Sequence, residues 1–173
     1  DAPLQNCNFE NLKKNIRLDE IVETFNKQNP SIELIVEDWR ITTIPNSKLN
    51  IRDIQKFRIT DNEDIKKEYN IIDMAENSFL EDISEYSNRF RVTKYKPSLM
   101  QDHHRPGKHE YLVTKRIHDV DFFINIPKLK THIKAGLTCS MKNLVGINGH
   151  KEFLPHHIKG SYFDGGDNYS SSS

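Results

Sequence analysis

Three side chains that can bind an anion alternate along one short stretch of the sequence. Lys128, Lys130 and His132 occupy every second position, so in an extended chain all three point to the same side. Cationic groups this close repel one another unless an anion lies between them, and phosphate or carboxylate would fit. Thr131 adds a hydroxyl group to the same stretch. The spacing therefore predicts a loop that binds an anionic small molecule, and the alternative is a solvated basic loop.

A second group of reactive side chains follows shortly afterwards. A helix is predicted over Leu137–Leu144, and it is preceded by Gly136 and contains a small hydroxyl residue near its start. This pattern is typical of an anion site at a helix start. No Walker loop is present. Lys142 and Asn143 would lie one turn into this helix. If Lys142 faced the sheet it could act as a base or nucleophile, and His132 is the other candidate for moving a proton. The alternative is a solvated Lys142, as is usual for a helical lysine.

The C-terminal part contains side chains that are common metal ligands. His156, His157 and Asp167 could bind zinc, iron or manganese through imidazole and carboxylate groups. Against this assignment, adjacent histidines point apart in most backbones, and the spacing matches no established metal motif. A divalent metal is therefore the second hypothesis, as a cofactor. Iron–sulfur clusters are excluded within this chain, because Cys7 and Cys139 are far apart and neither belongs to a C-x-x-C pair.

Two further polar clusters favour solvated or structural roles. His103, His104 and His109, together with Arg105, are predicted to be solvated loop residues on the general burial tendencies of these residue types. In residues 89–96, basic side chains alternate with apolar ones. Such alternation could bind a nucleic-acid strand, but a half-buried edge strand requires it too. We favour the edge strand, and since no recognition helix, zinc finger or RNA-binding motif occurs, we predict no nucleic-acid partner.

The candidate anion loop follows the segment with the clearest strand pattern. Asp121–Ile126 contains a nearly continuous apolar run, which is typical of a strand covered on both faces in a parallel sheet. Pro127 ends the strand. Ligands bind beyond the carboxyl ends of strands in open α/β sheets, and Lys128 would lie at such a position. We therefore predict an α/β fold with a mixed or mainly parallel sheet flanked by helices.

Patterns elsewhere along the chain predict alternating helices and strands. Apolar residues recur every three or four positions over residues 9–28, which predicts a helix that begins after Asn8. The pattern slips around Arg17 and Leu18, so Asp19 is a candidate cap of a second helix. A shorter helix is expected over residues 78–86. Branched and aromatic residues predict further strands over 32–36, 69–73 and 90–93. Strands that alternate with helices indicate the α/β class.

The chain divides into an acidic part and a basic part. Its 173 residues carry no net charge. Residues 1–86 contain 11 Lys and Arg against 18 Asp and Glu, a net charge of −7, whereas residues 87–173 contain 14 against 7, a net charge of +7. The basic part would attract an anionic ligand. Alternatively, the acidic part packs on the basic part, or the basic part binds an acidic protein as a non-catalytic accessory or redox-partner module.

Hydropathy and leader patterns do not indicate a membrane protein. No stretch approaches the roughly 18–20 apolar residues that a membrane helix needs, and no basic-then-apolar leader is present. We therefore expect a cytoplasmic protein without a membrane span, in which the two cysteines are reduced thiols.

The motifs described above resemble those of a known family. Asp121–Gly146, with the sequence DFFINIPKLKTHIKAGLTCSMKNLVG, closely resembles the signature of the family called domain of unknown function 362. Further stretches also resemble that family. After the signature these are Leu154–His157, Gly160 and Gly165–Asp167, and before it they are Asp1–Gln5 and Asp38–Arg40. The resemblance implies that the first strands of the family domain precede this sequence. We therefore expect residues 1–169 to form a single domain that is a segment of a larger one, and residues 170–173 to be a flexible or artefactual serine tail.

The resemblance does not imply a particular reaction. Some members of that family carry an added ferredoxin-like iron–sulfur domain and others are encoded among surface-polysaccharide genes, but no residue of this sequence carries either property. The residues themselves predict an enzyme, or a degenerate enzyme, that binds a phosphorylated or other anionic small molecule. The predicted substrate ligands are Lys128, Lys130, Thr131 and Asn143, and the predicted proton-transfer groups are Lys142 and His132. The sequence predicts neither the substrate nor the oligomeric state.

Overall fold

The protein combines short helices with small antiparallel sheets. The computed structural model describes residues 8–40, 63–92, 95–132 and 135–167, so Cys7, Thr93, the opening residues and the serine tail lie outside the described residues. The predicted mixture of helices and strands is confirmed. The predicted mainly parallel sheet is wrong, because every strand pairing in the described ranges is antiparallel. Two of these pairings join neighbouring stretches across short turns, and such turns can join only antiparallel strands, because a parallel pair needs a crossover of a dozen or more residues.

The N-terminal residues form a helical hairpin. The first helix, α1 (Phe9–Asn15), begins at Asn8, whose side-chain oxygen accepts a hydrogen bond of 2.9 Å from a backbone N–H of the first turn. The predicted N-cap is therefore confirmed. The second helix, α2 (Leu18–Gln28), begins after Arg17, which adopts the left-handed conformation with φ 54°. The expected slip around Arg17 and Leu18 is thus confirmed, but the residue before the second helix is Arg17 and not Asp19.

The strand predicted over residues 32–36 is wrong, since this stretch has no regular secondary structure. The side chain of Asn26 forms the hydrogen bonds to this backbone that a neighbouring strand would otherwise form. Its oxygen accepts a 2.8 Å hydrogen bond from the backbone N–H of Leu34, and its nitrogen donates to the carbonyl oxygen of Leu34 at 3.2 Å. A side chain that satisfies the backbone in this way competes with sheet formation. The stretch is linked to the sheet further on, where the hydroxyl of Tyr69 donates to the carbonyl oxygen of Trp39.

The largest sheet has three strands in the order β1-β4-β3. Strand β1 (Tyr69–Asp73) has the predicted bounds and directly follows helix α3 (Glu63–Glu68). It pairs along its whole length with β4 (Lys108–Thr114), so that Tyr69 lies opposite Thr114. Strand β3 (His104–Arg105) pairs with the beginning of β4 across a tight turn, where Gly107 has φ 73°.

The remaining elements are short. Strand β2 (Phe90–Arg91) lies within the predicted strand over 90–93 and pairs with β7 (His157–Ile158), and α4 (Pro97–Met100) follows it. The helix expected over 78–86 is a 3-10 helix at Glu81–Arg89. Further 3-10 helices are Ala75–Asn77, Lys115–His118, Leu144–Ile147, Lys151–Phe153 and Tyr162–Asp164. No helix in the described ranges is long and apolar enough to cross a membrane.

Two small apolar clusters form the core. The first contains Phe90, Val92, Tyr95, Leu99 and Met100, and the second contains Tyr69, Leu112 and Phe153. The imidazole ring of His103 lies 3.8 Å from the ring of Phe153, measured between centroids. Buried polar side chains therefore share the interior with the apolar clusters.

The predicted buried strand over Asp121–Ile126 is wrong. This segment forms no strand, and the side chains of Phe122, Ile124 and Ile126 are 87%, 79% and 83% exposed. An apolar run shows which residues would gain from burial, but it does not show what is available to cover them. Among the described residues, no strand pairs with this segment.

The chain then forms a β-hairpin where a helix start was predicted. Strands β5 (Lys130–His132) and β6 (Gly136–Thr138) pair antiparallel, and the helix α5 is confined to Ser140–Asn143. Gly136 has φ 67°, a left-handed conformation that favours glycine and reverses the chain direction here. The predicted helix over residues 137–144 is therefore correct only for its C-terminal part.

Candidate functional site

The β5–β6 hairpin determines which predicted anion ligands share a face. Lys130 lies opposite Thr138 and His132 lies opposite Gly136. Directly opposite residues of an antiparallel pair point to the same face, so Lys130, His132 and Thr138 share one face. Thr131 lies opposite Leu137 and points to the other face. The structure thus brings together two predicted ligands, separates Thr131 from them, and adds the hydroxyl of Thr138, which sequence reasoning missed.

Local hydrogen bonds fix the orientation of His132. The backbone N–H of Ala135 donates to Nδ1 of His132 at 3.2 Å. In the neutral ring Nδ1 is then the acceptor, so the proton lies on Nε2, and this nitrogen is the donor. The hydroxyl of Thr138 donates to the carbonyl oxygen of Lys130 at 3.4 Å. The face therefore carries the ammonium group of Lys130 and the imidazole of His132, and both groups suit an anion.

Side-chain amides connect the hairpin region to helix α5. Nδ2 of Asn143 donates to Oδ1 of Asn125 at 2.7 Å, and Nδ2 of Asn125 donates to the carbonyl oxygen of Ser140 at 2.9 Å. Asn143, predicted as a substrate ligand, is thus hydrogen-bonded to the segment before the hairpin. Lys142, its neighbour on α5, is exposed to solvent. In this arrangement Asn143 holds α5 against the segment that carries the lysines.

The lysines of this region form no ion pair with the acids that the structure describes. Lys128, Lys130 and Lys142 are exposed, and none of them forms an ion pair with an acid in the described part of the chain. Other lysines are paired, such as Lys108, whose Nζ lies 3.1 Å from Oε1 of Glu110. The positive charge of the hairpin region is therefore not compensated by the described acids.

The predicted metal ligands have structural contacts instead of a common centre. The backbone N–H of His156 donates to the carbonyl oxygen of Arg91 at 2.8 Å, and His157 pairs with Arg91 in the β2–β7 ladder. Oδ1 of Asp167 accepts a 2.9 Å hydrogen bond from the backbone N–H of Ile158. Across residues 8–40, 63–92, 95–132 and 135–167, no group of three or more His, Cys, Asp or Glu side chains could hold a metal ion. The assignment of these ligands stays a prediction.

A buried histidine cluster replaces the predicted solvated loop. The side chains of His103, His104, His109 and His150 are at most 4% exposed, so the prediction of solvated histidines at 103, 104 and 109 is wrong. Glutamates from other elements explain the burial of His103 and His109, because a buried imidazole needs a hydrogen-bond partner. These glutamates are Glu81, Glu110 and Glu152.

One branch of the cluster is a chain of hydrogen bonds. The hydroxyl of Tyr95 donates to Oε1 of Glu152 at 2.5 Å. Oε2 of Glu152 lies 3.3 Å from Nε2 of His103, and Nδ1 of His103 lies 2.7 Å from Oε2 of Glu110. Lys108 continues the chain toward the surface through its ion pair with Glu110. The branch joins segments that are distant in the sequence, which makes it a structural element of the core.

The second branch pairs two imidazoles with a carboxylate. Nδ1 of His104 lies 3.4 Å from Nδ1 of His109, and Nε2 of His109 lies 2.9 Å from Oε2 of Glu81. Burial lowers the pKa of His104 to about 4, and the charges of the neighbouring histidines act in the same direction. The pKa of Glu81 is lowered first by the backbone N–H of Gly107 and then by His109. At neutral pH His104 is therefore uncharged and Glu81 is ionised.

The histidine cluster is enclosed and so does not present a binding surface. The sequence contains a signal for the β3–β4 hairpin that carries His104 and His109. Pro106–Gly107, a common turn pair, lies between the two paired stretches. That signal would have predicted the hairpin but not the burial, which depends on Glu81 and Glu152.

Comparison with known proteins identifies a family. The sequence model of the family described as Domain of unknown function (DUF362) matches residues 51–164. No curated protein and no solved structure matches the chain. The match includes the hairpin, helix α5 and the buried histidine cluster. Because it covers more than half of the 173 residues, the chain belongs to the DUF362 family.

Proposed function

We propose that the protein binds a phosphorylated or other anionic small molecule on the face of the β5–β6 hairpin that carries Lys130 and His132. The observation that carries the proposal is the register of this hairpin, which places both side chains and Thr138 on one face. Lys128 precedes Lys130 by two residues and adds a further positive charge.

The electrostatics of the hairpin support this proposal. Exposed lysines that form no ion pair with the described acids attract anions through a field that mobile ions screen over about 10 Å at 0.1 M salt. A phosphate group offers three acceptor oxygens and close to two negative charges, so it can accept from two cationic groups and an imidazole N–H together. A simple carboxylate offers two oxygens and a single charge, and we expect it to bind more weakly.

The decisive experiment measures anion affinity in matched lysine variants. Calorimetric titration with pyrophosphate, at constant ionic strength, would compare the unaltered protein with Lys130→Ala and with Lys14→Ala, an exposed lysine on α1. We expect Lys130→Ala to weaken binding about tenfold, as for the loss of a charged hydrogen bond. We expect Lys14→Ala to bind like the unaltered protein. Equal losses in the two variants would show that the hairpin is not the site.

A thermal shift provides an independent measurement of the same site. An anion at about 100 times its dissociation constant should stabilise the folded protein by about 2.7 kcal/mol. Acetate at the same ionic strength serves as the control for non-specific screening. An equal shift with acetate and pyrophosphate would contradict a phosphate-selective face.

The catalytic roles of Lys142 and His132 stay predictions. If a reaction occurs, His132 is the better proton donor in this arrangement, because Ala135 orients its ring. A His132→Gln variant that keeps its pyrophosphate affinity but loses turnover of a phosphorylated substrate would support that role.

A further inference from the structure

Two asparagine side chains join the chain on the two sides of the β5–β6 hairpin. Within the hairpin Lys130 lies opposite Thr138. Five residues further out along each chain are Asn125 and Asn143. Nδ2 of Asn143 donates to Oδ1 of Asn125 at 2.7 Å, and Nδ2 of Asn125 donates to the carbonyl oxygen of Ser140 at 2.9 Å. The amide pair thus continues the register of the hairpin beyond its strands.

This contact closes a loop that contains Lys128. On one side of Lys128 is the amide pair, and on the other side is the strand pairing of Lys130. The opposing stretch, residues 138–143, spans at most about 12 Å, because extended and helical residues advance by about 3.3 Å and 1.5 Å each. Lys142 belongs to this stretch. The closed loop therefore confines the backbone of three lysines, at positions 128, 130 and 142, to one small region.

The groups that close the loop carry no net charge. An ion pair could hold the same chains together, but its acid would cancel one of the positive charges, whereas side-chain amides hydrogen-bond while neutral. The three lysines are exposed and form no ion pair with the described acids, so the loop combines three positive charges. A single phosphate, with close to two negative charges, balances only part of them. A diphosphate carries more charge and a second set of acceptor oxygens.

We propose that Asn125 and Asn143 are positioning residues of the anion site, and that the ligand of this site carries a diphosphate group. One phosphate contacts the hairpin face with Lys130. The second phosphate contacts Lys128 and Lys142, which the amide pair holds beside that face. Asn143 thus acts through the lysines and does not itself touch the ligand. The inference rests on the proposed anion binding and adds the chemical class of the ligand.

Selectivity between two anions separates the positioning role from a general loss of structure. Calorimetric titration at constant ionic strength would compare pyrophosphate with orthophosphate in the unaltered protein, in Asn143→Ala and in Asn15→Ala, an exposed asparagine on α1. We expect Asn143→Ala to weaken pyrophosphate binding about tenfold, as for the loss of a charged contact, and to leave orthophosphate binding unchanged. Asn15→Ala should keep both affinities. Equal losses for the two anions, or no loss for either, would overturn the positioning role.

A double-mutant cycle tests whether Asn143 acts through Asn125. Asn125→Ala should weaken pyrophosphate binding by the same factor as Asn143→Ala, and the double variant should lose no more, because both substitutions open the same loop. Losses that multiply would mean that Asn143 contacts the ligand directly, which overturns the positioning role.

Lys130→Ala distinguishes this inference from the proposed function, since it should weaken the binding of both anions. If Lys130→Ala weakens both and Asn143→Ala changes neither, anion binding at the hairpin stands and the closed loop has no part in it. If Lys130→Ala changes neither affinity, the proposed function fails and this inference fails with it.

Discussion

Glu152 shows how a single buried residue can hold distant segments together. Its side chain is fully buried, and its two oxygens contact Tyr95 and His103. The two partners precede it by 57 and 49 positions. A buried carboxylate is tolerable only where such donors satisfy it, because leaving it unpaired would cost several kcal/mol.

Removal of this carboxylate should therefore destabilise the protein strongly. We expect Glu152→Ala to lower the free energy of unfolding by about 3 kcal/mol, since it removes the buried carboxylate that contacts the hydroxyl of Tyr95 and Nε2 of His103. Urea unfolding followed by circular dichroism is the measurement. Glu76→Ala, at an exposed position, is the control and should change stability by less than about 0.5 kcal/mol. A loss of similar size in the two variants would contradict the role of Glu152.

His104 should make the stability of the protein depend on pH. Its pKa is about 4 in the folded protein against a usual value of 6.5, so the folded state binds this proton less readily than the unfolded state. The stabilisation is complete above pH 6.5 and is lost as the pH falls toward 4, by about 3 kcal/mol in total. Unfolding free energies measured at pH 7 and pH 4.5 should differ less in His104→Gln than in the unaltered protein. His118→Gln, at an exposed histidine, should keep the full difference.

At the scale of elements, strand β4 organises the molecule. It pairs with β1 on one side and with β3 at its beginning, and it accepts a further backbone hydrogen bond of 2.8 Å from Gly149 to Leu112. The segment that contains Gly149 thus lies directly against the sheet. This close approach requires a residue without a side chain, because a Cβ atom at Gly149 would lie 2.5 Å from the ring of Tyr69 and 2.8 Å from Leu112.

Substitution of Gly149 should consequently disturb the core. We expect Gly149→Ala to destabilise the protein by about 2 kcal/mol through overpacking against Tyr69 and Leu112. The test is a double-mutant cycle with Leu112→Ala, measured by urea unfolding. If the crowding is real, the double variant will lose less stability than the sum of the two single variants. Additive losses would mean that Gly149 does not approach Leu112 as described.

The elements also show how far the sequence could predict the fold. Strand β1 and helices α1 and α2 were predictable because their signals are local: a β-branched run and an N-cap followed by helical spacing. The apolar run at Asp121–Ile126 was misleading, since burial requires a neighbouring element that the run itself does not encode. The hairpin at Lys130–Thr138 was missed because Gly136 is compatible with either a helix start or a turn.

The candidate site was predictable in its chemistry but not in its geometry. Alternation placed Lys130 and His132 on one face, and the hairpin agrees with this. The contact between Asn143 and Asn125, and the burial of His103 against Glu152, depend on tertiary contacts. Such contacts join positions far apart in sequence, and spacing rules do not reach them.

At the scale of the whole molecule, stability should be distributed unevenly. The sheet around β4 contains the buried residues of the second apolar cluster and the histidine network. In contrast, helices α1 and α2 contain no buried residue, and helices of 7 and 11 residues are marginal in water without tertiary packing. Glu37, in the stretch after α2, forms an ion pair of 3.4 Å with Arg116, and an exposed pair of this kind contributes less than about 1 kcal/mol.

Hydrogen exchange should therefore separate the N-terminal helices from the sheet. We expect the backbone amides of β4 to exchange only on global unfolding, and those of α1 and α2 to exchange through local opening at much lower free energy. Mass spectrometry of deuterium uptake on peptides from both regions is the measurement. Glu152→Ala provides the control, because it should accelerate exchange in β4 while leaving α1 and α2 unchanged. Equal protection of α2 and β4 in the unaltered protein would mean that the N-terminal helices are packed as part of one cooperative unit, with their apolar side chains Leu12, Ile16 and Ile21 covered in solution.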